Sequence, residues 1–338
     1  MNEFLRSILD GINSVIGNYG WSIIVFTLLI RLVLMPFDAK SRKSMRKMST
    51  VQPMQAALQK KYANDKDKLN QKMAELYKKE KINPLSSCLP MLLTMPVLFA
   101  MFAAMRMIAN EQIATQFLTL LGGGTPAYEP WLWIKNIWMP DSPFAAMVPD
   151  AASLNLIPLD IWQHTFANLA DGIRAALPAD ITYDFANNDT MRATVASMLE
   201  YIQTVPTYTD AFKAAPGLAN LNLILTKITI YVQHNGLFIL PILAAGSQML
   251  MTKVNPAATG AQPQPGANGQ QQPNTMGFMK WFFPIFSLFI CSSQNAGFSI
   301  YWVAANLIMT VQTFALNKYF DMQEQNKKTA VEGEGSIK

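Results

Sequence analysis

The chain has 338 residues, of which 51% are hydrophobic and 14% are charged, and its formal net charge is +5. Because a water-soluble domain carries about 25% charged residues, this composition excludes an ordinary soluble protein, and the apolar content excludes disorder over most of the length. The basic excess is concentrated in one segment between apolar stretches, as in a cytoplasmic loop of a membrane protein. We therefore expect no sequence-specific nucleic-acid partner.

Residues 1–20 predict an external amphipathic helix, because apolar side chains recur there at helical spacing. They are Phe4, Leu5, Ile8, Leu9, Ile12, Val15 and Ile16. We expect this helix to lie along the outer membrane interface. It lacks the long apolar core and the small-residue cleavage site of a secretory leader, so we expect no leader in this segment.

Five apolar segments are long enough to cross a bilayer, whose core of about 30 Å needs about 20 helical residues, or somewhat fewer with interfacial aromatics. The predicted transmembrane helices are 21–37, 84–108, 235–252, 276–293 and 296–316. Gln294 and Asn295 alone separate the last two, which predicts a tight hairpin. The fold class is therefore an all-α polytopic membrane protein.

The orientation follows from the distribution of lysine and arginine beside the spans. Residues 38–83 contain 13 basic and 5 acidic side chains, whereas residues 107–234 contain 5 basic and 11 acidic ones. The first segment is predicted to be cytoplasmic and the second external. Five spans then place the N-terminus outside and the C-terminus in the cytoplasm.

Residues 38–83 also show helical periodicity that is interrupted near Tyr62, with Asn64 or Asp65 as a cap for the second helix. This pattern predicts a cytoplasmic helical hairpin. Its lysines fit either solvated faces attracted to anionic lipid or a docking surface for a partner.

The external loop, residues 109–234, is predicted to contain a mainly helical insert at 142–234. We expect helices at 160–177 and 189–202, each opening with a capping residue, whereas 218–232 fits a helix, a strand or an extension of the third span. Three tryptophans near the start of the loop predict an interfacial aromatic belt. They are Trp131, Trp133 and Trp138.

Two polar segments remain on the predicted cytoplasmic side. Residues 253–275 are rich in proline, glycine and glutamine, which is typical of a flexible linker. Residues 317–338 form the cytoplasmic tail, and we expect it to be disordered after Gln323.

No group of residues has the pattern of a catalytic or metal site. His164 and His234 lack a second ligand at helical spacing, Gly122 to Gly124 lacks the lysine of a phosphate loop, and Ser247 has no histidine at its depth. Cys88 and Cys291 lie in apolar segments and predict neither a disulfide nor a thiolate site. We expect no metal, no cofactor and no enzyme activity.

Arg31 is the anomaly of the first span. An arginine deep in a bilayer costs about 2.5–3.5 kcal/mol on insertion scales. The five predicted spans contain no Asp or Glu that could pair with it, so one interpretation is a hydrated cavity. The other is that Arg31 extends toward the inner interface, since Phe37 is only about 9 Å of helix rise away.

Other polar residues favour the cavity. Thr27 lies one turn before Arg31, and Trp302, Asn306, Thr310 and Thr313 form a polar stripe on the fifth span. Ser247 and Gln248 add polar groups in the third. Each alone fits helix-to-helix hydrogen bonding, but together with Arg31 they predict a groove that opens to the cytoplasm.

Several strings together resemble one family. They are Gly20-Trp-Ser-Ile-Ile before Thr27 and Arg31, Leu34-Met-Pro36, Gln52-Pro53, Glu75-Leu-Tyr-Lys-Lys-Glu-Lys81, Asn83-Pro84-Leu85, Cys88-Leu-Pro90, Met95-Pro96, Trp131-Leu-Trp-Ile134, Ile239-Leu-Pro241-Ile-Leu243, and Tyr301-Trp302 through Asn306 to Gln312-Thr313. The chain resembles the YidC membrane protein insertases, which are related to the mitochondrial and chloroplast insertases. The matches run in order over 1–141 and 235–320; the insert 142–234 and the absence of a large external domain before the first span depart from the family pattern.

The resemblance implies five transmembrane helices around a hydrophilic groove, closed outside and open to cytoplasm and lipid, in a bacterial plasma membrane. The implied function is a membrane protein insertase and chaperone, acting alone or with the Sec translocon. Newly made membrane proteins, the phospholipid bilayer, the Sec translocon, the ribosome and signal recognition components are the implied partners. Arg31 would be the groove charge, Thr27 its neighbour, and Tyr301 or Trp302 part of the slide that substrate helices contact.

Two other function classes stay open. An anion-binding transporter or channel would use Arg31 as its anion site, although the internal repeats expected of many transporters are not found. A structural assembly chaperone would act through the cytoplasmic hairpin instead of the groove.

Overall fold

The computed structural model describes residues 2–80, 89–216, 221–223, 226–254 and 275–335. These residues form twelve helices and one antiparallel pair of short strands. The helices are α1 (Asn2–Ile16), α2 (Tyr19–Lys61), α3 (Lys66–Lys79), α4 (Leu89–Leu121), α5 (Ala151–Asn155), α6 (Leu159–Ala167), α7 (Asp171–Ala176), α8 (Asn188–Ile202), α9 (Pro206–Ala211), α10 (Ile239–Val254), α11 (Thr275–Ser293) and α12 (Ala296–Gly335). The strands are β1 (Leu221–Leu223) and β2 (Thr226–Ile228).

The helical membrane class is confirmed. Within the described part of the chain, two helical segments are long and apolar enough to cross a bilayer, Tyr19–Met48 in α2 and Ala296–Asn326 in α12. Two shorter apolar helices, Ile239–Val254 and Lys280–Ser293, coincide with other predicted spans. Residues 81–88 lie outside the described residues, so the start of the second predicted span is not described.

The longest helices continue well beyond the predicted spans. Helix α2 has 43 residues, about 65 Å at about 1.5 Å per residue, so it contains both the first predicted span and the first arm of the predicted hairpin. Helix α4 likewise continues to Leu121. The second arm is α3, whose N-terminus is capped by Asp65; the hydrogen bond from the Lys68 backbone N–H lowers the pKa of Asp65 below its ordinary value.

The prediction of disorder after Gln323 is wrong, because α12 continues to Gly335. Residues 255–274, which make up almost all of the predicted linker, lie outside the described residues. The two residues before them, 253–254, still belong to α10.

The chain divides into two compact units. The first, here named the insert unit, contains residues 1–26, 99–244 and 287–302. The second, here named the hairpin unit, contains residues 27–98, 245–286 and 303–338.

The insert unit has an apolar core to which the insert and the end of α4 both contribute. Its fully buried side chains include Phe117 and Leu118 on α4, Trp162 on α6 and Met198 on α8. The ring of Phe117 meets that of Tyr208 edge-on, with centroids 6.3 Å apart. The insert therefore folds against the last turns of α4, and removing it would expose that part of α4.

The ends of the insert lie side by side. Residues 145–147 pair with residues 233–235 through backbone hydrogen bonds of 2.8–2.9 Å, and Ala146 and His234 form an antiparallel bridge. The predicted helix 160–177 is broken into α6 and α7, whereas α8 begins beside its predicted start with a capping box made by Asn187 and Thr190.

A charged cluster fixes α1 to α4. Arg6 donates two hydrogen bonds to Glu111, at 2.6 and 2.5 Å, and these raise the pKa of Arg6 above its ordinary value. His164 of α6 approaches the same carboxylate, with Nδ1 3.4 Å from Oε1. One acidic side chain thus links the N-terminal helix, α4 and the insert.

The predicted tryptophan belt needs correction. Trp131 and Trp138 are only 8% and 2% exposed, so they belong to the core. Trp131 packs on Gly20, where an added Cβ would collide with the indole ring. The packing partner of Trp131 is therefore the start of α2, with no room for a larger residue at position 20.

Candidate functional site

Arg31 lies in the apolar part of α2, in the hairpin unit. Its side chain is partly buried. Its Nη1 atom is buried and has no hydrogen-bond partner among the described residues. An unsatisfied buried polar group costs about 1–3 kcal/mol, and a charged one more, so this nitrogen favours any acceptor that reaches it.

Arg31 nevertheless has an acidic neighbour, which lies just outside the five predicted spans. Asp38 lies two helical turns further along the same face of α2. It is attracted electrostatically to both Arg31 and Arg42. The side-chain amide of Gln312 donates to Asp38 Oδ2 at 3.0 Å. The apolar run ends at Phe37, but the helix continues, so the charge of Asp38 stays close to that of Arg31.

Polar contacts join α2 to α12 within the hairpin unit, and this set is named here the α2–α12 ladder. It consists of Asp38 with Gln312, Arg42 with Thr313, and Arg46 with Asn317 and Asp321. All partners are 271 to 275 residues apart in sequence, so the two helices run parallel.

The two arginines of the ladder differ in exposure. Arg42 is 8% exposed and donates to the Thr313 hydroxyl. Arg46 donates to Asp321 at 2.7 Å and to the Asn317 carbonyl at 3.0 Å, and its guanidinium carbon lies 5.4 Å from the centre of the Phe320 ring. These two basic residues of the predicted hairpin are therefore engaged in contacts within the protein.

Asn306 is the centre of a second polar group in the hairpin unit. Its side-chain amide donates to Ser247 Oγ at 3.2 Å and to Gln248 Oε1 at 3.1 Å. The Thr310 hydroxyl donates to the Asn306 carbonyl at 2.7 Å. All four residues are less than 10% exposed. The structure thus brings together the polar residues of the third and fifth predicted spans.

The other predicted groove residues are distributed between the two units. Thr27, one turn before Arg31, belongs to the hairpin unit and is 1% exposed. Tyr301 and Trp302 belong to the insert unit. Tyr301 is 6% exposed, and the buried Nε1 of Trp302 has no hydrogen-bond partner in the described part of the chain.

Sequence reasoning selected Thr313 as a polar groove residue and Gln312 only as part of a family string, and it missed the other five members of the ladder. They are Asp38, Arg42, Arg46, Asn317 and Asp321. The four-residue steps from Asp38 to Arg42 and from Arg42 to Arg46 place one residue per turn on a single face. That spacing was the available signal, but the partners on α12 could not be read from it.

This arrangement can hold an anionic or hydrogen-bonding group but offers no covalent chemistry. The described residues contain no group of three or more His, Cys, Asp or Glu side chains that could hold a metal ion. The fold and site together define a helical membrane protein with a charged, partly buried polar interior.

The sequence matches the 60Kd inner membrane protein family over residues 11–325, and the chain belongs to this family. This membership confirms the predicted YidC resemblance and agrees with the expectation that the chain is not an enzyme.

Three relatives carry the name membrane protein insertase YidC. The protein of Fusobacterium nucleatum is 38% identical over 135 residues, which are 40% of this chain and 58% of the relative. That of Aromatoleum aromaticum is 35% identical over 179 residues, 53% of this chain and 30% of the relative. That of Pseudomonas fluorescens is 50% identical over 95 residues, 28% of this chain and 17% of the relative. The matched regions thus span at most 58% of these three relatives.

Proposed function

We propose that this chain is a membrane protein insertase, which receives hydrophobic segments of newly made membrane proteins and releases them sideways into lipid. The observation that carries the proposal is the buried Nη1 of Arg31, which has no hydrogen-bond partner among the described residues. The names of the three relatives support the same activity.

The proposed receiving site is a groove among five transmembrane helices, closed outside and open to cytoplasm and lipid. Arg31 is its charge, and Asp38 offsets part of that charge while the groove is empty. The polar residues that line the groove are Thr27, Ser247, Gln248, Asn306 and Thr310. Tyr301 and Trp302 belong to the apolar surface along which a substrate helix leaves the groove.

The mechanism follows from two energies. The short acidic tail of a client moves from bulk water to a site beside Arg31, where the effective dielectric is lower. A close ion pair there is several times more stabilising than the same pair in water. The tail is then held partway across the membrane. The apolar segment gains about 25 cal/mol per Å² as it leaves water for lipid, which drives release. This scheme needs no nucleotide.

The proposed topology has the N-terminus outside and the C-terminus in the cytoplasm of a bacterial plasma membrane. The proposed partners are the Sec translocon, the ribosome and signal recognition components. The basic surface of α3 and its flanks supports a cytoplasmic location for the hairpin.

The test reconstitutes the full chain in liposomes and measures the insertion of a client with a single transmembrane segment. The short tail of this client carries either two Asp or two Asn. Arg31→Ala should lower protease protection of the acidic tail by about tenfold, because one close charge contact is worth about 1–2 kcal/mol in such surroundings. The neutral tail should be protected as before, and Arg31→Lys should retain most of the acidic-tail insertion. Equal protection of both tails by Arg31→Ala would rule out the electrostatic role.

An anion transporter or channel is the second candidate, since the same nitrogen of Arg31 fits a small anion. Liposomes that contain the protein but no client separate the two functions. Chloride flux that Arg31→Ala abolishes would support transport, whereas intact client insertion without flux supports the insertase.

A chaperone that acts through the hairpin is the third candidate. Deletion of residues 49–79 would remove the end of the first hairpin arm and all of α3 but leave Arg31 in place. An insertase needs the groove, so the deletion variant should still distinguish acidic from neutral tails. Loss of all client handling would favour the chaperone.

A further inference from the structure

The turn at residues 131–134, in the insert unit, displays a leucine in a backbone conformation that leucine rarely adopts. Trp131 and Ile134 exchange two backbone hydrogen bonds of 2.9 Å, which closes a two-residue hairpin loop. The first residue of that loop, Leu132, has a φ of 50°. Glycine, asparagine and aspartate are the usual residues there, because a Cβ is strained at positive φ.

The side chain of Leu132 in this turn is large, apolar and exposed. Leu132 is 63% exposed, whereas the flanking Trp131 and Ile134 are 8% and 1% exposed. A strained residue that remains exposed gains nothing from the packing of its own unit. Its buried neighbours hold the turn in place, and the exposed leucine is left free to contact something outside the described chain.

A second apolar tip lies where α10 begins, and Asp141 connects the two. Asp141 accepts a hydrogen bond from Trp133 Nε1 in the turn at 3.2 Å, and others from the backbone N–H groups of Leu237 and Leu240 at 2.9 and 2.6 Å. Leu237 is 54% exposed, and the next residue, Phe238, has a φ of 65°.

The second tip also includes Phe144, which is 43% exposed and has its ring 6.4 Å from that of Phe238. The buried carboxylate of Asp141 therefore fixes two displayed apolar tips relative to each other.

The position of both tips indicates which partner covers them. Trp21, in the first turn of α2, is 49% exposed, and its ring meets that of Trp131 with centroids 5.5 Å apart. Leu237 stands two residues before α10. The tips are thus continuous with the exposed apolar surface at the starts of α2 and α10. We expect the starts of membrane helices to lie near the boundary between lipid headgroups and acyl chains.

We propose that Leu132, with the tip at Phe144 and Leu237, is a lipid anchor that enters the headgroup and acyl boundary of the leaflet where α2 and α10 begin. Phospholipid is the partner. The anchor would keep the insert close to the membrane surface.

The experiment uses the full chain with Cys88→Ser and Cys291→Ala, reconstituted in phosphatidylcholine liposomes without client. A single cysteine labelled with an environment-sensitive NBD dye replaces Leu132. Leu156→Cys is the matched control, because Leu156 is 62% exposed and belongs to the same unit. We expect the probe at 132 to show blue-shifted emission that is lost when phospholipids carrying a doxyl quencher are added, and the probe at 156 to report water.

Phe144→Cys supplies a second probe, so the proposal stays testable if the label at 132 prevents folding. Quenching at 144 but not at 156 would support the anchor. Aqueous emission at both 132 and 144 would overturn it, and so would equal quenching at 132 and 156. A shift at 132 that occurs only after client addition would identify the turn as a client contact instead.

Discussion

The two units treat a buried charge in opposite ways. In the insert unit, Asp141 is fully buried, and its carboxylate accepts hydrogen bonds from three backbone N–H groups and one indole. In the hairpin unit, Arg31 keeps a buried nitrogen without a hydrogen-bond partner among the described residues. The first charge is fully engaged by the chain, whereas the second retains the capacity to bind something else.

This difference separates a charge that fixes the structure from a charge that can bind a ligand. A buried charge that the protein satisfies completely fixes the chain around it, because any rearrangement would strand several polar groups at once. A buried charge that is left partly unsatisfied lowers stability but gains a ligand when one arrives. Such residues are expected at functional sites, where stability is sacrificed for activity.

The largest effect should come from Asp141→Ala. The substitution strands the backbone N–H groups at the start of α10, so we expect a loss of about 3 kcal/mol or more in the free energy of unfolding. Thermal unfolding in detergent micelles measures it. Gly236→Ala should also destabilise, because an added Cβ would collide with the same carboxylate.

Asp180→Ala is the matched control for Asp141→Ala, since Asp180 is exposed in the same unit. An exposed substitution of this kind usually changes stability by less than about 0.5 kcal/mol. Similar unfolding temperatures for the two alanine variants would show that Asp141 does not fix the start of α10.

A smaller effect is expected from Arg46→Ala, which removes the last two contacts of the α2–α12 ladder, those with Asn317 and Asp321. Asp321 is largely exposed, at 61% side-chain accessibility, and Arg46 is partly exposed at 27%, so we expect a loss of about 1 kcal/mol or less. The loss should be local. Amide hydrogen exchange should become faster in residues 317–335, and added salt should reduce the difference from the parent protein.

Lys47→Ala provides the comparison for Arg46→Ala, because Lys47 is exposed on the same helix. If exchange in α12 speeds up equally in both variants, the ladder does not stabilise the end of that helix.

The sequence was most informative where the signal is local. Apolar runs predicted the two helical segments that are long and apolar enough to cross a membrane, and capping residues predicted α3 and α8, because each signal depends on residues within a few turns. The tail after Gln323 was predicted to be disordered, yet it is helical. The start of that tail contacts α2 through an ion pair between Arg46 Nη1 and Glu324 Oε1 at 3.5 Å. No window of local composition contains both.

The same limit applied to the polar interior. Arg31, Asn306 and Thr310 could be selected because each is a polar residue in an apolar run. Asp141 could not, because it lies in a polar loop and its partners are backbone groups 96 to 99 residues later. The belt prediction failed for Trp131 because indole composition does not reveal whether a ring faces lipid or Gly20.

The smallest effect on stability is expected from Arg31→Met, and this near-absence of an effect distinguishes the two units most sharply. Methionine keeps the length of the side chain but removes the nitrogen that lacks a partner, and Asp38 retains the attraction of Arg42. The loss of the Arg31–Asp38 attraction and the relief of a buried unsatisfied charge act in opposite directions, so we expect unfolding free energy within about 0.5 kcal/mol of the parent protein, or above it. Thermal unfolding of Arg31→Met and Asp141→Ala in the same detergent makes the comparison direct. A loss for Arg31→Met as large as that for Asp141→Ala would mean that Arg31 stabilises the fold, and its buried nitrogen would then not be held for a client.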